Sequence, residues 1–384
     1  QWPCWEKDRP ACIFFTSGTT DAGGERSCVL LSQRNLAVNN VSFQGNSKSD
    51  GIPETIQYLP LNHVLAFSGL VTCLARGFHI HLGKGPRYLA QELLEYRPHF
   101  LLAVPMVGEL FRKQMENGVA RQGKQKLFAR AKRLAKLLWK LRVDVRPLLF
   151  RELYQGMGGR LRLIHVGGAS TDPETIRFLE EIGIYLLEGY GLTESTGVVA
   201  QNTLSRSRRG SVGIVMPYNE VKIVEGEIWV RGDNVMLGYY RDEEATARCI
   251  CDGWLKTGDL GRLDRDGYLY ITGRKKNQII LSSGENLSPE EIEAQLLKYA
   301  AVEEVLVCER NGKLHAKIFP APAAGWDSRS LWQELDGAVQ QYNGSCPLHA
   351  RIGSWELREE PFEKTASQKI RRSPAGSASD GAGP

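Results

Sequence analysis

The sequence of 384 residues lacks several patterns that assign a protein to a class at once. It has no run of 18 apolar residues, so a membrane-spanning helix is not expected. It has no Cys-x-x-Cys pair, and its eight cysteines are scattered through mostly apolar stretches, which argues against zinc and thioredoxin-like motifs. We therefore expect a reduced, cytoplasmic protein.

The start of the sequence lacks the pattern of a secretory signal. The chain begins with Gln1 instead of Met, and residues 1–10 do not place a basic segment before an apolar one. We therefore expect either that the start was processed or that the chain is a fragment. A length of 384 residues with 42% hydrophobic content is enough for two domains, since single cores seldom exceed about 250–300 residues.

The net charge of +5 is spread unevenly along the chain. Residues 121–151 hold eleven Lys or Arg and one acid, Asp144, so this segment carries +10 and the remainder −5. Proteins that bind nucleic acid normally spread basic residues over a groove, so we expect no nucleic-acid partner. No feature of the sequence predicts an oligomeric state.

The basic segment has two interpretations. Leucines at 127, 134, 138 and 141 fall on one helical stripe, with Lys and Arg over much of the remaining surface. Such a helix can lie on anionic lipid or attract an anionic substrate, which predicts peripheral membrane association through 121–151. The alternative is an amphipathic surface helix that packs on the core and leaves its basic face in solvent.

The first half of the chain alternates short apolar runs with helical patterns, which predicts a largely parallel sheet. The strand-like runs at 11–15, 161–166 and 184–190 each end in a polar or glycine-rich stretch. In such sheets the ligands lie beyond the carboxyl ends of the strands. We therefore expect residues 16–20, 167–169 and 189–194 to converge.

After about residue 210 the pattern becomes that of antiparallel strands. Residues 220–240 and 263–274 alternate apolar with polar positions around turn residues, and 289–320 indicate a helix followed by two strands. The fold class expected is α/β. It comprises a large N-terminal domain with mainly parallel sheets and a small β-rich subdomain, followed by a small α+β C-terminal domain.

Four short stretches carry the residue types of nucleotide chemistry. In IFFTSGTTDAGGERSCVLL (13–31), hydroxyls and backbone N–H groups can hold phosphate oxygens, although such loops are common and this one has no lysine. In EGYGLTE (188–194), Tyr190 can stack on a base, Thr193 can touch phosphate and Glu194 can hold Mg²⁺; an ordinary loop with a capping Thr is the alternative.

The third and fourth stretches lie later in the chain. Asp259, within residues 252–276, offers a carboxylate suited to the two hydroxyls of a ribose, and Arg274 ends the next hairpin. Lys369 lies among polar residues in EKTASQKIRR (363–372), where the alternative is a solvated basic cluster.

Together and in this order, the stretches closely resemble the motifs of the acyl-adenylate-forming (AMP-binding) superfamily. Its members include acyl-CoA synthetases, peptide-synthetase adenylation domains and luciferases. The matching motifs are FTSGTT (15–20), YGLTE (190–194), KTGD (256–259), the hinge and C-terminal domain start at 273–293, and KTASQKIRR (364–372). LPLNHV (59–64), HVGGAS (165–170), the basic insert and the QKIRR ending look most like long-chain fatty acyl-CoA synthetases.

The resemblance implies a role for each matching residue. Thr16, Ser17, Gly18, Thr19 and Thr20 would hold the β- and γ-phosphates of ATP. The remaining roles implied are adenine contacts for Gly167, Gly168, Ala169, Tyr190 and Gly191, an α-phosphate contact for Thr193, and Mg²⁺ binding for Glu194. The same comparison implies ribose binding for Asp259 with Arg274, hinge motion at Lys276, acyl or coenzyme A contacts for His63 and Gly284, and adenylation catalysis for Lys369.

The resemblance also implies a reaction and a domain arrangement. A carboxylic acid would be activated to acyl-AMP with release of pyrophosphate, and coenzyme A would then displace AMP. ATP, Mg²⁺ and coenzyme A are the cofactors and substrates implied. The large domain would cover 1–275, without the usual N-terminal segment, the mobile C-terminal domain 276–373, and a disordered tail 374–384.

One stretch departs from the family pattern. The phosphate motif of the family usually continues Gly-x-Pro-Lys-Gly, whereas residues 21–28 read DAGGERSC and place Ser27 at the lysine position. Three hypotheses therefore stay open. They are an acyl-CoA synthetase, an enzyme that loads a carrier protein, and a catalytically weak nucleotide-binding homologue.

Overall fold

The computed structural model describes residues 6–19, 26–39, 53–281, 285–321, 328–364 and 370–372, with the backbone alone at 17–19, 26 and 328. The chain divides into two compact units. Unit 1 comprises residues 1–257 and 261–271, and unit 2 comprises 258–260 and 272–384. The domain limits expected from the sequence, and the mobility of the second body, stay predictions.

Fifteen β-strands begin in the described residues of unit 1. The strands are Pro10–Thr19 (β1), Arg26–Ser32 (β2), Glu54–Gln57 (β3), His79–Leu82 (β4), Phe100–Ala103 (β5), Leu163–Val166 (β6), Tyr185–Tyr190 (β7), Ala200–Gln201 (β8), Gly213–Val215 (β9), Asn219–Val224 (β10), Glu227–Gly232 (β11), Gly238–Tyr239 (β12), Ile250–Cys251 (β13), Trp254–Leu263 (β14) and Tyr268–Arg274 (β15). The last two strands extend into unit 2.

The α-helices described in unit 1 are mostly short. They are Gln33–Val38 (α1), Val64–Ala75 (α2), Leu89–Tyr96 (α3), Pro105–Arg121 (α4), Gln125–Lys140 (α5), Arg146–Leu149 (α6), Arg151–Gln155 (α7), Pro173–Ile182 (α8) and Glu243–Cys249 (α9). Helix α8 has the boundaries that its sequence predicts. The carboxylate of Asp172 accepts hydrogen bonds from the backbone N–H of Glu174 and Thr175, and Gly183 ends the helix at φ +94°.

The central sheet of unit 1 contains ten strands in the order β10-β11-β14-β15-β9-β8-β7-β6-β5, with β13 paired to β14. Strands β5, β6 and β7 are parallel, and β7 begins an antiparallel run through β8 and β9 to β15. The expected α/β class is confirmed. The structure adds that the antiparallel strands expected in a separate β-rich subdomain continue the sheet of the parallel strands.

The hydroxyl-rich stretch after Phe15 is part of a strand. Strand β1 runs on through Thr19 and pairs antiparallel with β2 from Pro10↔Ser32 to Thr19↔Arg26, and β12 extends this sheet on the other side of β2. The expectation that 16–20 form a loop beyond the end of a parallel strand is therefore wrong for 16–19. β-Branched threonines favour an extended backbone, and Thr19 pairs with Arg26 on β2 after a shift in register between Phe15 and Thr19.

Parallel packing recurs in a small pair elsewhere in unit 1. Strands β3 and β4 are parallel, with Glu54 opposite His79 and Ile56 opposite His81.

The main apolar core of the unit gathers around β5 and β6 and helices α4 and α8, where Leu101, Ile164 and Leu179 are fully buried. This core holds the carboxyl ends of β6 and β7 at fixed positions.

Unit 2 has its own core. Its further strands are Ile279–Ile280 (β16), Asn286–Leu287 (β17), Val302–Arg310 (β18), Lys313–Pro320 (β19) and Ile352–Leu357 (β20), and its α-helices are Pro289–Leu296 (α10) and Ser328–Ser345 (α11). Strand β19 lies between antiparallel β18 and parallel β20. The helix–strand–strand order of 289–320 agrees with the sequence prediction.

The basic segment forms helix α5, and three of the four expected leucines lie off the face that packs on the core, whereas Leu138 is half-buried. Phe128 lies 5.5 Å from the ring of Phe150 and 5.9 Å from that of Phe178, and Ala135 is buried. In contrast, Leu127, Leu134 and Leu141 are 62%, 46% and 67% exposed. The helix therefore has one apolar face on the core and a second one exposed among its basic residues.

Within the described residues, no helix is both long and apolar enough to cross a bilayer.

Candidate active site

Two loops that follow neighbouring parallel strands form the centre of the candidate site. Strand β6 ends at Val166, which is opposite Glu188 on β7, so Gly167–Ala169 leave the sheet beside Gly189 and Tyr190, the last two residues of β7. Gly167 is buried, whereas Gly168 and Ala169 are exposed and Tyr190 is half-buried. The structure brings these expected adenine residues together, as the sheet argument predicts.

Glu188 ties the two loops to each other. Its carboxylate Oε1 accepts a hydrogen bond of 2.9 Å from the backbone N–H of Thr171, which lies in the loop after β6. Burial is the largest cause of the raised pKa of Glu188, and the hydrogen bonds from Thr171 oppose it. Glu188 lies within the motif at 188–194, but its sequence position alone predicts no role for it.

The turn after Tyr190 depends on close backbone contact. A Cβ atom at Gly191 would lie 1.3 Å from the carbonyl oxygen of Gly197, so only glycine fits there. Residues 193–195 then form a 3₁₀ turn, and Thr196 takes a left-handed conformation at φ +55°. The loop therefore has one tightly determined path.

Buried amide side chains hold this path from outside the motif. The hydroxyl of Thr196 donates to the carbonyl of Asn234 at 2.7 Å, and the Asn234 amide donates to the carbonyl of Ser195 at 3.0 Å. Asn39 donates to the carbonyl of Thr196 and accepts from the hydroxyl of Tyr218 at 3.1 Å. Because every bond in this network reaches across the fold, no local pattern in the sequence signals it.

Glu194 lies between this loop and the sheet that contains β1. Its carbonyl accepts from the backbone N–H of Met236 at 2.9 Å, and its carboxylate Oε1 accepts from the hydroxyl of Tyr239 at 2.9 Å. Tyr239 is on β12 and pairs with Val29 on β2. The structure thus brings the expected metal ligand to the sheet of the expected phosphate motif.

The surroundings of Glu194 have the electrostatics of a cation site. The pKa of Cys249 is raised to about 11, mainly by burial and also by the negative charge of Glu194. Burial and the same carboxylate also raise the pKa of Tyr239. One lone pair of the carboxylate is used by Tyr239, and a carboxylate has about four, so oxygen ligation of Mg²⁺ fits the residues present.

The expected ribose residues form a pair within unit 2. Asp259 is buried, and its Oδ1 lies 2.7 Å from Nε of Arg274, which is 39% exposed. The guanidinium therefore orients the carboxylate. Lys276, the expected hinge, is exposed in a 3₁₀ turn at Lys275–Asn277.

The structure describes only some of the remaining expected site residues. His63 is half-buried at the N-cap position of α2, with its carbonyl bound to the N–H of Phe67 at 3.1 Å. Thr16 is half-buried on β1, and for Ser17, Gly18 and Thr19 the structure describes the strand backbone. Thr20, Gly284 and Lys369 lie outside the described residues, as does most of the departing stretch 21–28, so their roles stay predictions.

Models of two known protein families match this chain. The model of the AMP-binding enzyme family matches residues 2–240, and that of the AMP-binding enzyme C-terminal domain matches 276–378. This chain belongs to the AMP-binding enzyme family. The resemblance drawn from its motifs is therefore confirmed, with strands β6 and β7 of the AMP-binding fold carrying the loops described above.

Relatives with established names narrow the comparison. The long-chain-fatty-acid–CoA ligase FadD15 of Mycobacterium bovis is 32% identical over 94% of this chain and 67% of its own length. The chloroplastic long-chain-fatty-acid–[acyl-carrier-protein] ligase AEE15 of Arabidopsis thaliana is 27% identical over 96% of this chain and 60% of its own length. The chain thus spans about two thirds of these ligases or less.

Solved structures confirm the fold. The O-succinylbenzoate coenzyme A synthetase of Bacillus subtilis, in complex with ATP and magnesium ion, superimposes with a TM-score of 0.70 at 24% identity. The match covers 95% of this chain and 69% of that one. At this identity the likeness establishes the AMP-binding fold, and the assignment of individual site residues rests on the geometry above.

Proposed function

We propose that this chain carries out the ATP-dependent activation of a long-chain fatty acid to acyl-AMP, followed by transfer to coenzyme A. The observation that carries the proposal is the placement of Glu194. Its backbone and carboxylate are both tied to residues beside β12, next to the sheet of the phosphate motif, in a chain that is 32% identical to a long-chain-fatty-acid–CoA ligase.

The proposed roles follow the described positions. Tyr190 and the glycine loop at 167–169 hold adenine between two parallel strand ends. Asp259, oriented by Arg274, takes the ribose hydroxyls. Glu194 would hold Mg²⁺, which when bound supplies charge neutralisation among phosphate oxygens.

In the first proposed step, a carboxylate oxygen of the fatty acid forms a bond to the α-phosphorus of ATP. The bond from that phosphorus to the bridging oxygen of the β-phosphate breaks, and pyrophosphate leaves. No protein nucleophile takes part, so the residues act by positioning and by offsetting negative charge. Lys369, on the basis of its motif, would place its charge between the two reacting groups.

In the second proposed step, the sulfur of coenzyme A forms a bond to the acyl carbon. The bond from that carbon to the AMP oxygen breaks, AMP leaves, and the thiol proton passes to solvent. A rotation of the C-terminal body about Lys276 would exchange Lys369 for the loop that includes Gly284.

Exchange of labelled pyrophosphate into ATP tests the first step. With a panel of fatty acids, we expect exchange by the wild type and a loss of about 100-fold or more in Lys369→Ala. Lys298→Ala is the matched control, because Lys298 is exposed and its side chain donates to nearby Gln295. An absence of exchange with every acid would instead favour a nucleotide-binding homologue, which the altered stretch 21–28 makes the alternative to test.

The metal role is tested in the same assay. Glu194→Ala is expected to abolish Mg²⁺-dependent exchange, since it removes the carboxylate that would ligate the ion. Glu174→Ala is the control, because Glu174 is an exposed carboxylate on α8. Equal exchange in the two variants would rule out the assignment of Glu194.

A carrier protein is the second candidate acceptor, and the similarity to the carrier-protein ligase AEE15 favours testing it. The two acceptors share a phosphopantetheine thiol, so the first step does not separate them. Thioester formation should be measured with coenzyme A and with a phosphopantetheinylated acyl carrier protein in parallel. Product with the carrier alone would replace coenzyme A in the proposal.

We further propose that helix α5 attaches the protein to the surface of an anionic membrane. Exposed Leu127, Leu134 and Leu141 share one side of the helix with basic residues, while Phe128 and Ala135 face the core. A surface that combines exposed apolar and basic side chains suits a bilayer containing anionic lipid. The cytoplasmic location stays a prediction.

Sedimentation with vesicles tests this attachment. The wild type should bind phosphatidylcholine vesicles that contain phosphatidylserine, and Leu127→Ser with Leu134→Ser should weaken binding about tenfold or more. Leu348→Ser is the control, since Leu348 is 79% exposed in unit 2. Binding that is equal with and without phosphatidylserine would contradict the role of the basic residues.

A further inference from the structure

Two histidines and a glutamate meet on strands that the proposed reaction does not use. Glu54 is on β3 and lies opposite His79 on β4, and His81 follows two positions later, on the same face of the strand. One ligand atom of each side chain lies within 4.8 Å of those of the other two. The rings of His79 and His81 are 4.5 Å apart.

We propose that Glu54, His79 and His81 form a binding site for a divalent metal ion of the zinc class. Two imidazole nitrogens and one carboxylate oxygen are a donor set that Zn²⁺ takes in proteins, with three protein ligands and one further position. Softer metals would be expected to bring thiolates, and Ca²⁺ or Mg²⁺ to bring more oxygens.

The distances suit such an ion after small side-chain adjustments. Ligands about 2.0–2.1 Å from tetrahedral Zn²⁺ lie about 3.4 Å from one another. Nε2 of His81 and Oε2 of Glu54 are already 3.1 Å apart. His79 is exposed, so its ring can rotate to bring the remaining separations into range.

Neighbouring groups hold two of the ligands in position. Arg160 Nη2 binds Oε1 of Glu54 at 2.9 Å, which leaves Oε2 directed at the histidines. The ring of His81 stacks on Tyr96 at 4.3 Å, with an angle of 11° between the planes. Partners that orient a ligand in this way are typical of metal sites.

A positively charged side chain also lies against the glutamate. The guanidinium of Arg160 opposes a dication, but it is bound to the other oxygen of the carboxylate.

A metal ion at this position would add metal–ligand bonds between β3 and β4.

The test uses the full chain, stripped with a chelator and titrated calorimetrically with ZnCl₂. We expect one equivalent to bind the wild type and to raise its thermal midpoint, because the ion binds the folded state. His79→Gln should weaken binding at least about tenfold.

His349→Gln provides the matched control, since His349 is an exposed histidine in unit 2. His79 is exposed as well, so its substitution should leave the metal-free protein folded, which its metal-free thermal midpoint verifies. Titration with Co²⁺ in place of Zn²⁺ distinguishes the proposed site from a site with thiolate ligands. Thiolates add charge-transfer absorption to bound Co²⁺, whereas imidazole and carboxylate do not. Unchanged affinity in His79→Gln, an equal loss in His349→Gln, or a thiolate spectrum would overturn the proposal.

Discussion

At the scale of single residues, the carboxylate of Glu194 depends on a hydroxyl 45 positions away in the sequence. Tyr239 donates to its Oε1, and Met236, two residues before the strand that carries Tyr239, donates its backbone N–H to the carbonyl of Glu194. A side chain that orients a metal ligand affects both affinity and rate. Tyr239 is therefore a positioning residue for the proposed reaction.

Tyr239→Phe is expected to raise the Mg²⁺ concentration needed for half-maximal pyrophosphate exchange about tenfold, since it removes the hydroxyl that donates to Glu194. The measurement is exchange rate against Mg²⁺ at saturating ATP and acid. Tyr240→Phe is the control, because Tyr240 is the adjacent tyrosine and is 44% exposed. The same Mg²⁺ dependence in both variants would show that the hydroxyl does not position the carboxylate.

Among the described glycines, Gly191 is the one at which an added Cβ would lie nearest to another atom. Gly191→Ala would place a Cβ 1.3 Å from the carbonyl oxygen of Gly197, so the backbone must shift. We expect a loss of about 3 kcal/mol or more in the free energy of unfolding, measured by chemical denaturation.

The control for that experiment is Gly118→Ala on α4. No atom lies within 4 Å of the Cβ that this substitution adds, and an alanine in a helix is favoured over glycine by about 1 kcal/mol. The two variants should change stability in opposite directions. A destabilisation of similar size in both would contradict the steric explanation for Gly191.

At the scale of elements, strand β6 carries a buried titratable group one residue before its carboxyl end. His165 is 8% exposed, its Nδ1 lies 2.6 Å from the amide nitrogen of Gln201 on β8, and burial lowers its pKa to about 4. In the unfolded chain the ordinary pKa is about 6.5. Between these values the unfolded state binds more protons, so stability falls as pH falls.

The expected contribution of His165 at pH 5 is a loss of about 2 kcal/mol of unfolding free energy relative to pH 7. His165→Gln should remove this part of the pH dependence, measured by denaturation at both pH values. His349→Gln, at an exposed site, should keep it. A wild-type slope that survives in His165→Gln would assign the dependence to other groups.

At the scale of the whole molecule, charge is concentrated where the exposed apolar surface of α5 lies. Residues 121–151 carry +10 against −5 for the rest of the chain. Salt should therefore screen and weaken the attraction of this segment to an anionic surface. The remainder of the chain adds repulsion from the same surface.

Binding to phosphatidylserine vesicles is expected to fall about tenfold between about 0.05 M and about 0.5 M NaCl, because the Debye length shortens over this range. Sedimentation at each salt concentration measures it. Vesicles of phosphatidylcholine alone serve as the control and should show little change. Salt-independent binding to the anionic vesicles would leave the exposed leucines as the only attraction.

Much of the family assignment could be predicted from local patterns. The motifs at 190–194 and 256–259 identified the family before any geometry was known, and the Asp172 cap and Gly183 terminator predicted the limits of α8. These features are readable because their physics acts over a few neighbouring residues. Backbone conformation, capping and strand alternation are of this kind.

The structural features that the sequence did not predict depend on contacts between segments that are distant along the chain. The sequence could not show that β1 continues through Thr19, because its extended path depends on pairing with β2, a partner that the local pattern does not reveal. Nor could it show which stripe of α5 meets the core, since Phe128 and Leu127 are equally apolar and only packing against Phe150 and Phe178 distinguishes them. Motif order was enough to assign the chain to its family, whereas the neighbours of Glu194 and the surface left exposed depended on how remote strands and helices pack.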